Sequence, residues 1–115
     1  MTDTTKNMKQ YFVYIITNKK NGALCVGLTT DLVRRVFKHR VGYVEGFPKR
    51  YKLKLLVYCE MFSDMKDAVD REKGLKSWSR EWKLGLINGS NEQWRDILDE
   101  TVFGKRQIRD RKFRG

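Results

Sequence analysis

Three consecutive runs near the start of the chain decide the fold: residues 11–18 are YFVYIITN, residues 19–22 are KKNG and residues 24–29 are LCVGLT. The first run is nearly continuous, apolar and rich in β-forming residues, which predicts a strand buried on both faces. The Asn21-Gly22 pair is a strong hairpin signal. We therefore predict two antiparallel strands joined by a turn.

Two helix starts follow the hairpin. Asp31 is a good N-cap and precedes a helical pattern over residues 32–40. Asp64 starts a second pattern that runs to about residue 76, and Asp67, three residues later, makes the start resemble a capping box. Between these helices, the run LKLLVYCEMF at residues 53–62 predicts a third strand.

Helical packing is also expected towards the C-terminus. Residues 79–87 predict a third helix, and one more short helical segment is suggested after it. The apolar residues that carry these two patterns are Trp78, Trp82, Leu86, Trp94, Ile97 and Leu98. The order of elements predicts an α+β fold with a small three-stranded, mainly antiparallel sheet flanked by three or more helices.

The length of the chain bounds its organisation. With 115 residues, it has the size of one domain and is too short for two well-filled cores. We predict a poorly ordered N-terminus at residues 1–9, one folded domain at residues 10–99 and a basic tail at residues 100–115. Because no run approaches about 20 apolar residues and no signal-peptide run is seen, we expect a cytoplasmic protein without a membrane segment.

The charge of the chain favours a polyanionic partner. Lys and Arg total 25 and Asp and Glu total 14, which gives a net charge of +11. Nucleic acid is a natural candidate because phosphate neutralisation releases counterions. Alternatively, the positive charge only keeps the protein soluble, or the protein lies beside the ribosome. The twelve residues 104–115 (GKRQIRDRKFRG) predict a mobile basic tail that adds phosphate affinity or has no specific role.

The cysteines do not indicate a disulfide or a zinc site. Cys25 and Cys59 lie within apolar runs that predict strands, so we expect reduced core residues. Neither belongs to a C-x-x-C pair and the chain has one histidine, whereas a structural zinc site requires four ligands.

A carboxylate interrupts the apolar side of the second predicted helix. Glu72 falls in the middle of an apolar stripe formed by Met65, Ala68, Val69 and Leu75. Such a carboxylate is costly unless it is paired or binds a metal. Two interpretations stay open: a partner cation or a position at the rim of the core, and a ligand for a hard cation such as Mg²⁺.

The first predicted helix places two basic side chains at the edge of its buried face. Arg35 and His39 are an i, i+4 pair, and we expect Val33 and Phe37 to extend the apolar surface beside them. A fixed guanidinium there could grip a phosphate, and a histidine could orient a water molecule or contact a phosphate. The alternative is an ordinary basic helix face.

The hairpin supplies two further candidates. Tyr14 lies in the middle of the first strand, where a buried hydroxyl requires a partner, although tyrosine is common in strands. Gly27 interrupts the facing strand, which often marks the close approach of a backbone or a ligand.

In chain order, these segments resemble the GIY-YIG endonuclease superfamily. The resemblance covers about residues 10–98. Within the superfamily, the chain is similar to the small stand-alone members, which are related to the N-terminal nuclease domain of the excision-repair incision subunit. The matching segments are VYI at 13–15, CVG at 25–27, TTDL at 29–32 followed by Arg35 and His39, GFPKRY at 46–51, AVDREKGLK at 68–76 and NEQWRD at 91–96.

The resemblance implies a metal-dependent endonuclease that hydrolyses phosphodiester bonds in DNA, branched or single-stranded, with a role in DNA repair. It implies that Glu72 holds one divalent cation, Mg²⁺ or alternatively Mn²⁺, that Arg35 stabilises the phosphate and that motif tyrosines position the water. The predicted catalytic set is Tyr14, Cys25, Arg35, His39 and Glu72, and the predicted nucleic-acid contacts are Lys49, Arg50, Lys73, Lys76 and Asn91. We expect a monomer or a weak dimer.

One departure from the family pattern bears on activity. Cys25 replaces the tyrosine of the second half-motif and cannot place a phenol oxygen there. Three outcomes follow: Tyr14 carries water activation, Cys25 acts as a thiolate, or the domain has lost catalysis and keeps binding. The competing functions are therefore an endonuclease, a non-catalytic nucleic-acid-binding module and a protein adaptor that uses the aromatic loop at residues 43–51.

Overall fold

The computed structural model describes residues 9–41, 53–102 and 109–110, with the backbone alone at residues 102, 109 and 110. The strands are β1 (Tyr11–Thr17), β2 (Leu24–Thr29), β3 (Leu55–Phe62) and the two-residue β4 (Arg109–Asp110). The helices are α1 (Leu32–Arg40), α2 (Met65–Ser77), α3 (Arg80–Ser90) and α4 (Leu98–Val102).

The sheet has the strand order β2-β1-β3-β4. The central strand β1 pairs antiparallel with both β2 and β3, and its register places Tyr14 opposite Gly27 on one side and opposite Cys59 on the other. The short β4 pairs parallel with β3 at Glu60 and Met61. The predicted α+β fold with a three-stranded antiparallel sheet and flanking helices is confirmed, and β4 adds one strand to it.

The hairpin turn is longer than two residues. Six residues, 18–23, connect the paired positions Thr17 and Leu24. The Gly22 amide donates to the Lys19 carbonyl at 2.8 Å, and Asn21 adopts a left-handed φ of 59°. Asn21 tolerates this region better than most residues, so the Asn-Gly signal identified the turn although not its length.

The two faces of the sheet bury different elements. Successive side chains of β1 alternate between the faces, so Val13 and Ile15 pack on one side, and Tyr14 and Ile16 pack on the other. The first face carries apolar residues of α2 and α3, such as Leu75 and Ile87, at its core. The second face is covered by α1, through Leu32 and Val36, and by Ile97, which directly precedes α4.

The helix starts follow their capping residues. The side chains of Asp31, Asp64 and Ser79 each accept a hydrogen bond from an amide in the first turn. For Asp64 the donor is the amide of Asp67, at 3.0 Å, as the capping-box pattern indicates. The observed α1 has its predicted bounds, and the bounds of α2 and α3 lie within one to three residues of those predicted.

The last part of the described chain differs in detail from expectation. Trp94 is not helical: its φ is 57°, and the final helix α4 begins only at Leu98. The expected short helical segment therefore exists without Trp94, whose buried indole packs in the core and donates to Asn88 Oδ1 at 2.7 Å. The proposed division at residue 99 stays a prediction. Among the described residues, no helix combines the length and apolar character required to cross a bilayer.

Candidate active site

The site is built around the ring of Tyr14. Cross-strand partners point to the same face, so the Tyr14 side chain lies across Gly27. A Cβ added at Gly27 would lie 2.5 Å from Tyr14 Cζ and closer still to the hydroxyl oxygen. The close approach expected at Gly27 is therefore that of the phenol, and Tyr14 is only 1% exposed.

The Tyr14 hydroxyl meets a histidine from α1. Its oxygen lies 3.0 Å from His39 Nε2, and the two rings pack nearly edge-to-face at 5.7 Å. His39 is buried, deeper than the edge position predicted for it, and its Nδ1 has no hydrogen-bond partner among the described residues. The hydrogen bond joins residues 25 positions apart and closes α1 onto the middle of the sheet.

The protonation states of this pair follow from burial. Burial lowers the pKa of His39 to about 4, and the nearby positive charge of Arg35 acts in the same direction. Burial also raises the pKa of Tyr14 to about 12, although the Arg35 charge opposes this rise. At neutral pH the imidazole is therefore neutral and the phenol is protonated, and the histidine tautomer sets which group donates.

Arg35 is half-buried at the edge of α1, as predicted. After burial, its positive charge is a further cause of the pKa shifts of Tyr14, His39 and Cys25, so its guanidinium lies within electrostatic range of all three. A guanidinium at this position can bind a phosphate group through two parallel hydrogen bonds.

Cys25 lies on the same face of the sheet as Tyr14, because it pairs with Ile16 two residues further along. The thiol is free and half-buried. Burial raises the pKa of Cys25, while the charges of Lys76 and Arg35 oppose that rise. A thiol of raised pKa is protonated at neutral pH, which argues against Cys25 acting as a thiolate.

Glu72 reaches the site from α2. Burial is the main cause of the raised pKa of Tyr14 and of Cys25, and the negative charge of Glu72 adds a smaller contribution to both, so its carboxylate lies within electrostatic range of the site. The side chain is 18% exposed, and Oε2 lies 2.8 Å from Lys76 Nζ. Glu72 therefore has both the rim position and the cation partner of the first interpretation. The i, i+4 spacing of Glu72 and Lys76 was the sequence signal for that ion pair.

Three apolar side chains on α1 and α2 are exposed, although we expected them to lie on the buried side of their helix. In α2, Ala68 and Leu75 are buried, whereas Met65 is 58% exposed and does not belong to the apolar stripe. In α1, Val33 and Phe37 are 50% and 62% exposed, so they do not extend the buried surface. Helical periodicity shows which residues lie on one side of a helix, but it does not show how much of that side the neighbouring elements bury.

The donor set at the site fits one kind of metal ion. Among the described residues, no group of three His, Cys, Asp or Glu side chains could hold a metal ion by itself. Magnesium is commonly held by one or two carboxylates, with water and substrate phosphates as further ligands. A partly exposed Glu72 carboxylate, within electrostatic range of the Tyr14 hydroxyl, fits such an open site.

The residues predicted to contact nucleic acid fall into three groups. Lys73 and Lys76 are exposed on α2, one and four residues after Glu72. Asn91 is buried at the end of α3. Its amide donates to the carbonyls of Val57 and Arg95 and accepts from the Arg95 amide, so it holds the chain together. Lys49 and Arg50, with the loop that contains them, lie outside the described residues.

Sequence reasoning missed a buried ion pair on the opposite face of the sheet. Glu60 is fully buried and accepts two hydrogen bonds from Arg71, at 2.9 and 2.8 Å, and one from Tyr58, at 2.6 Å. The Arg71 guanidinium also lies 5.2 Å from the centroid of the Trp78 ring. The signal was the single carboxylate in the apolar run of β3, which requires a buried partner.

Comparison with known proteins identifies the family of the chain. A family model described as the GIY-YIG catalytic domain matches residues 10–85. A UPF0213 protein of Staphylococcus haemolyticus is 38% identical over 80 residues, which are 70% of this chain and 96% of that protein. A UPF0213 protein of Staphylococcus saprophyticus is 36% identical over 81 residues, which are 70% and 98% of the two chains.

A solution NMR structure of a UPF0213 protein from Bacillus halodurans is 29% identical to this chain. The match covers 77% of this chain and 96% of that one, with a TM-score of 0.47. The relatives are matched over nearly their whole length, so they are small proteins of about the size of this domain. From the family model and these relatives, we conclude that the chain belongs to the GIY-YIG catalytic domain family.

Proposed function

We propose that this protein is a metal-dependent endonuclease that hydrolyses phosphodiester bonds in DNA, with branched or single-stranded DNA as its substrate. Membership of the family implies endonuclease activity. The observation that supports the metal and the reaction is that the charges of Arg35 on α1 and Glu72 on α2 both act on the Tyr14 hydroxyl of β1.

Each of these side chains has a distinct role in the proposed reaction. Arg35 binds the scissile phosphate and offsets negative charge that develops on it. Tyr14 remains protonated at neutral pH, so its hydroxyl orients the attacking water through a hydrogen bond. The neutral His39, at 3.0 Å from that hydroxyl, orients the phenol through their hydrogen bond, because a ring whose pKa is lowered to about 4 accepts a proton poorly at neutral pH.

Glu72 would hold the cation, Mg²⁺ or Mn²⁺. When bound, a divalent cation acidifies water and polarises a phosphoryl oxygen. Lys76 neutralises Glu72 in the ion pair observed here and lies four residues away on the outer side of α2. With a cation on the carboxylate, Lys76 and the neighbouring Lys73 are free to bind phosphates that flank the cleavage position.

A second candidate function rests on Cys25. The position of the second motif tyrosine holds a half-buried thiol of raised pKa, which neither donates strongly nor acts as a base at neutral pH. If Tyr14 alone does not activate water, the domain binds nucleic acid without cutting it. In both cases we propose a cytoplasmic location, where free thiols such as Cys25 and Cys59 stay reduced. We further propose that the protein acts in DNA repair as a monomer or a weak dimer.

The test is cleavage of labelled branched, flapped and plain duplex DNA with Mg²⁺, Mn²⁺ or EDTA. Glu72→Gln removes the proposed cation ligand, and Asp70→Asn is its matched control. Asp70 lies on the same helix and is also ion-paired, to Lys66 at 3.0 Å, but it is exposed. Metal-dependent cutting that is lost in Glu72→Gln and kept in Asp70→Asn supports the endonuclease.

The same experiment separates the two functions. Binding of DNA without cutting in either metal, together with cutting by a Cys25→Tyr variant, would show a binding module that lost its water-positioning group. Cutting that persists in EDTA or in Glu72→Gln would remove the role proposed for the cation. A binding affinity that does not fall with salt would argue for a protein adaptor instead.

A further inference from the structure

The outer face of α1 is apolar and open to solvent. Val33, Phe37 and Val41 are spaced by four residues, and their exposed fractions are 50%, 62% and 43%. Side chains at this spacing lie in one row along a helix. Contiguous exposed apolar side chains of this kind commonly mark a binding surface.

The same helix is strongly basic. It carries four cations, Arg34, Arg35, Lys38 and Arg40, and has no acidic residue in its first turn. Arg40 is occupied, since it hydrogen-bonds to the Lys54 carbonyl and to Asp96. Arg34 and Lys38 are both exposed, and no ion pair between described residues includes either of them.

The order of side chains around α1 links this face to the site. At about 100° per residue, Lys38 and Arg34 fall on the arc between Arg35 and the apolar row, and Phe37 follows beyond them. Around the helix from the buried His39 to the exposed side, the order is therefore the guanidinium of Arg35, then two more cations, and then the aromatic ring of Phe37.

We infer that this outer face of α1 is a nucleotide-binding subsite. Arg34 and Lys38 bind phosphates of the strand that lies on Arg35, and Phe37 stacks on an unpaired base of that strand. The inference rests on the proposed function, because it takes Arg35 as the contact to the scissile phosphate. It makes single-stranded DNA, or an unpaired segment beside a junction, the substrate class of this site.

The chemistry of the face favours a nucleotide as its occupant. A base offers a π face to an exposed aromatic ring only where it is not stacked within a duplex, whereas phosphates are available in any strand. A second copy of this chain would bring the same four cations of two α1 helices together without acidic partners. The resulting repulsion opposes self-association through this face.

The test is binding of fluorescently labelled single-stranded DNA and of a blunt duplex of the same sequence, by anisotropy in EDTA so that nothing is cleaved. We expect Phe37→Ala to weaken single-strand binding about 5-fold to 100-fold, and duplex binding less than about 2-fold. Phe37→Trp retains single-strand affinity. Lys38→Gln lowers the slope of log affinity against log salt by about 0.7 on the single strand, whereas Phe37→Ala leaves that slope unchanged.

Trp82→Ala is the matched control, because Trp82 is an equally exposed aromatic residue, 64%, on the different helix α3. An equal loss of affinity in Trp82→Ala and Phe37→Ala, or no loss in Phe37→Ala, would overturn the subsite. So would a wild-type dimer that Phe37→Ala converts to a monomer in sedimentation without a change in DNA affinity.

Failure of the proposed function gives a different result. A wild-type protein that cuts no DNA in any metal, but binds the single strand in a Phe37-dependent way, would keep the subsite and remove the nuclease. A protein that cuts DNA with metal, but whose single-strand affinity ignores Phe37, would keep the nuclease and remove the subsite.

Discussion

Replacing Gly27 with alanine would put a methyl group where the Tyr14 ring lies. The added Cβ would be 2.5 Å from Tyr14 Cζ and 3.0 Å from Cε2, both far inside van der Waals contact. The ring has little room to move, since Tyr14 is 1% exposed and its hydroxyl is bonded to His39. Either the phenol or the strand β2 must shift.

The expected cost follows from three contributions. Overpacking of a well-packed core costs about 2 kcal/mol. Loss of the hydrogen bond between Tyr14 and His39 costs about 1 kcal/mol. Replacing a strand glycine with alanine returns up to about 1 kcal/mol of backbone entropy. We therefore expect Gly27→Ala to lower the free energy of unfolding by about 2 kcal/mol.

Urea unfolding followed by tryptophan fluorescence measures this change. For an m-value of about 1–2 kcal/mol/M, the midpoint should fall by about 1–2 M. Gly85→Ala in α3 is the matched control, because a Cβ there meets nothing within 4 Å. That variant should gain up to about 1 kcal/mol, since alanine favours the helix.

A double-mutant cycle tests the cause. In a Tyr14→Ala background the methyl group at position 27 has space, so only the backbone gain should remain, and the coupling energy should be about 3 kcal/mol. Wild-type stability in Gly27→Ala, or the same cost in both backgrounds, would refute the claim that Tyr14 is the reason for glycine here.

Three further predictions concern stability. The folded pKa of His39, about 4, lies below its unfolded value of about 6.5, so folding favours the neutral ring. The stability that this group contributes is present above pH 6.5 and is lost as the pH falls towards 4. In urea unfolding, the free energy of unfolding should be about 2 kcal/mol lower at pH 5 than above pH 6.5, and this loss should be absent in His39→Gln. In thermal unfolding, Arg71→Ala should lower the free energy of unfolding by about 3 kcal/mol, because it breaks a buried ion pair with Glu60. Lys66→Ala breaks an exposed pair and should lower it by less than about 0.5 kcal/mol, so equal losses in the two variants would contradict the prediction. Asn91→Ala removes three hydrogen bonds to the main chain and should cost about 2–3 kcal/mol in urea unfolding, and a neutral result would reopen a surface role for this residue.

The sequence by itself determined the local elements. The β1–β2 hairpin and the starts of α1, α2 and α3 depend on turn residues and capping residues within a few positions of one another. Such short-range signals can be recognised without knowing what the elements pack against. The motif order then predicted which side chains matter, including the substitution at Cys25.

The tertiary structure alone decided how those side chains meet. Tyr14 and His39 are 25 residues apart in sequence, and their hydrogen bond depends on how α1 packs on the sheet. Burial, which sets the pKa values of both groups, is likewise a property of the packed chain.

The exposed fraction of a residue is decided in the same way. Phe37 and Met65 are apolar residues at helical spacing, yet both are open to solvent, while Glu60 and Asn91 are polar and buried. Periodicity in a sequence defines the faces of a helix or a strand. It cannot define which neighbouring elements cover those faces, because that depends on contacts between residues far apart in the chain.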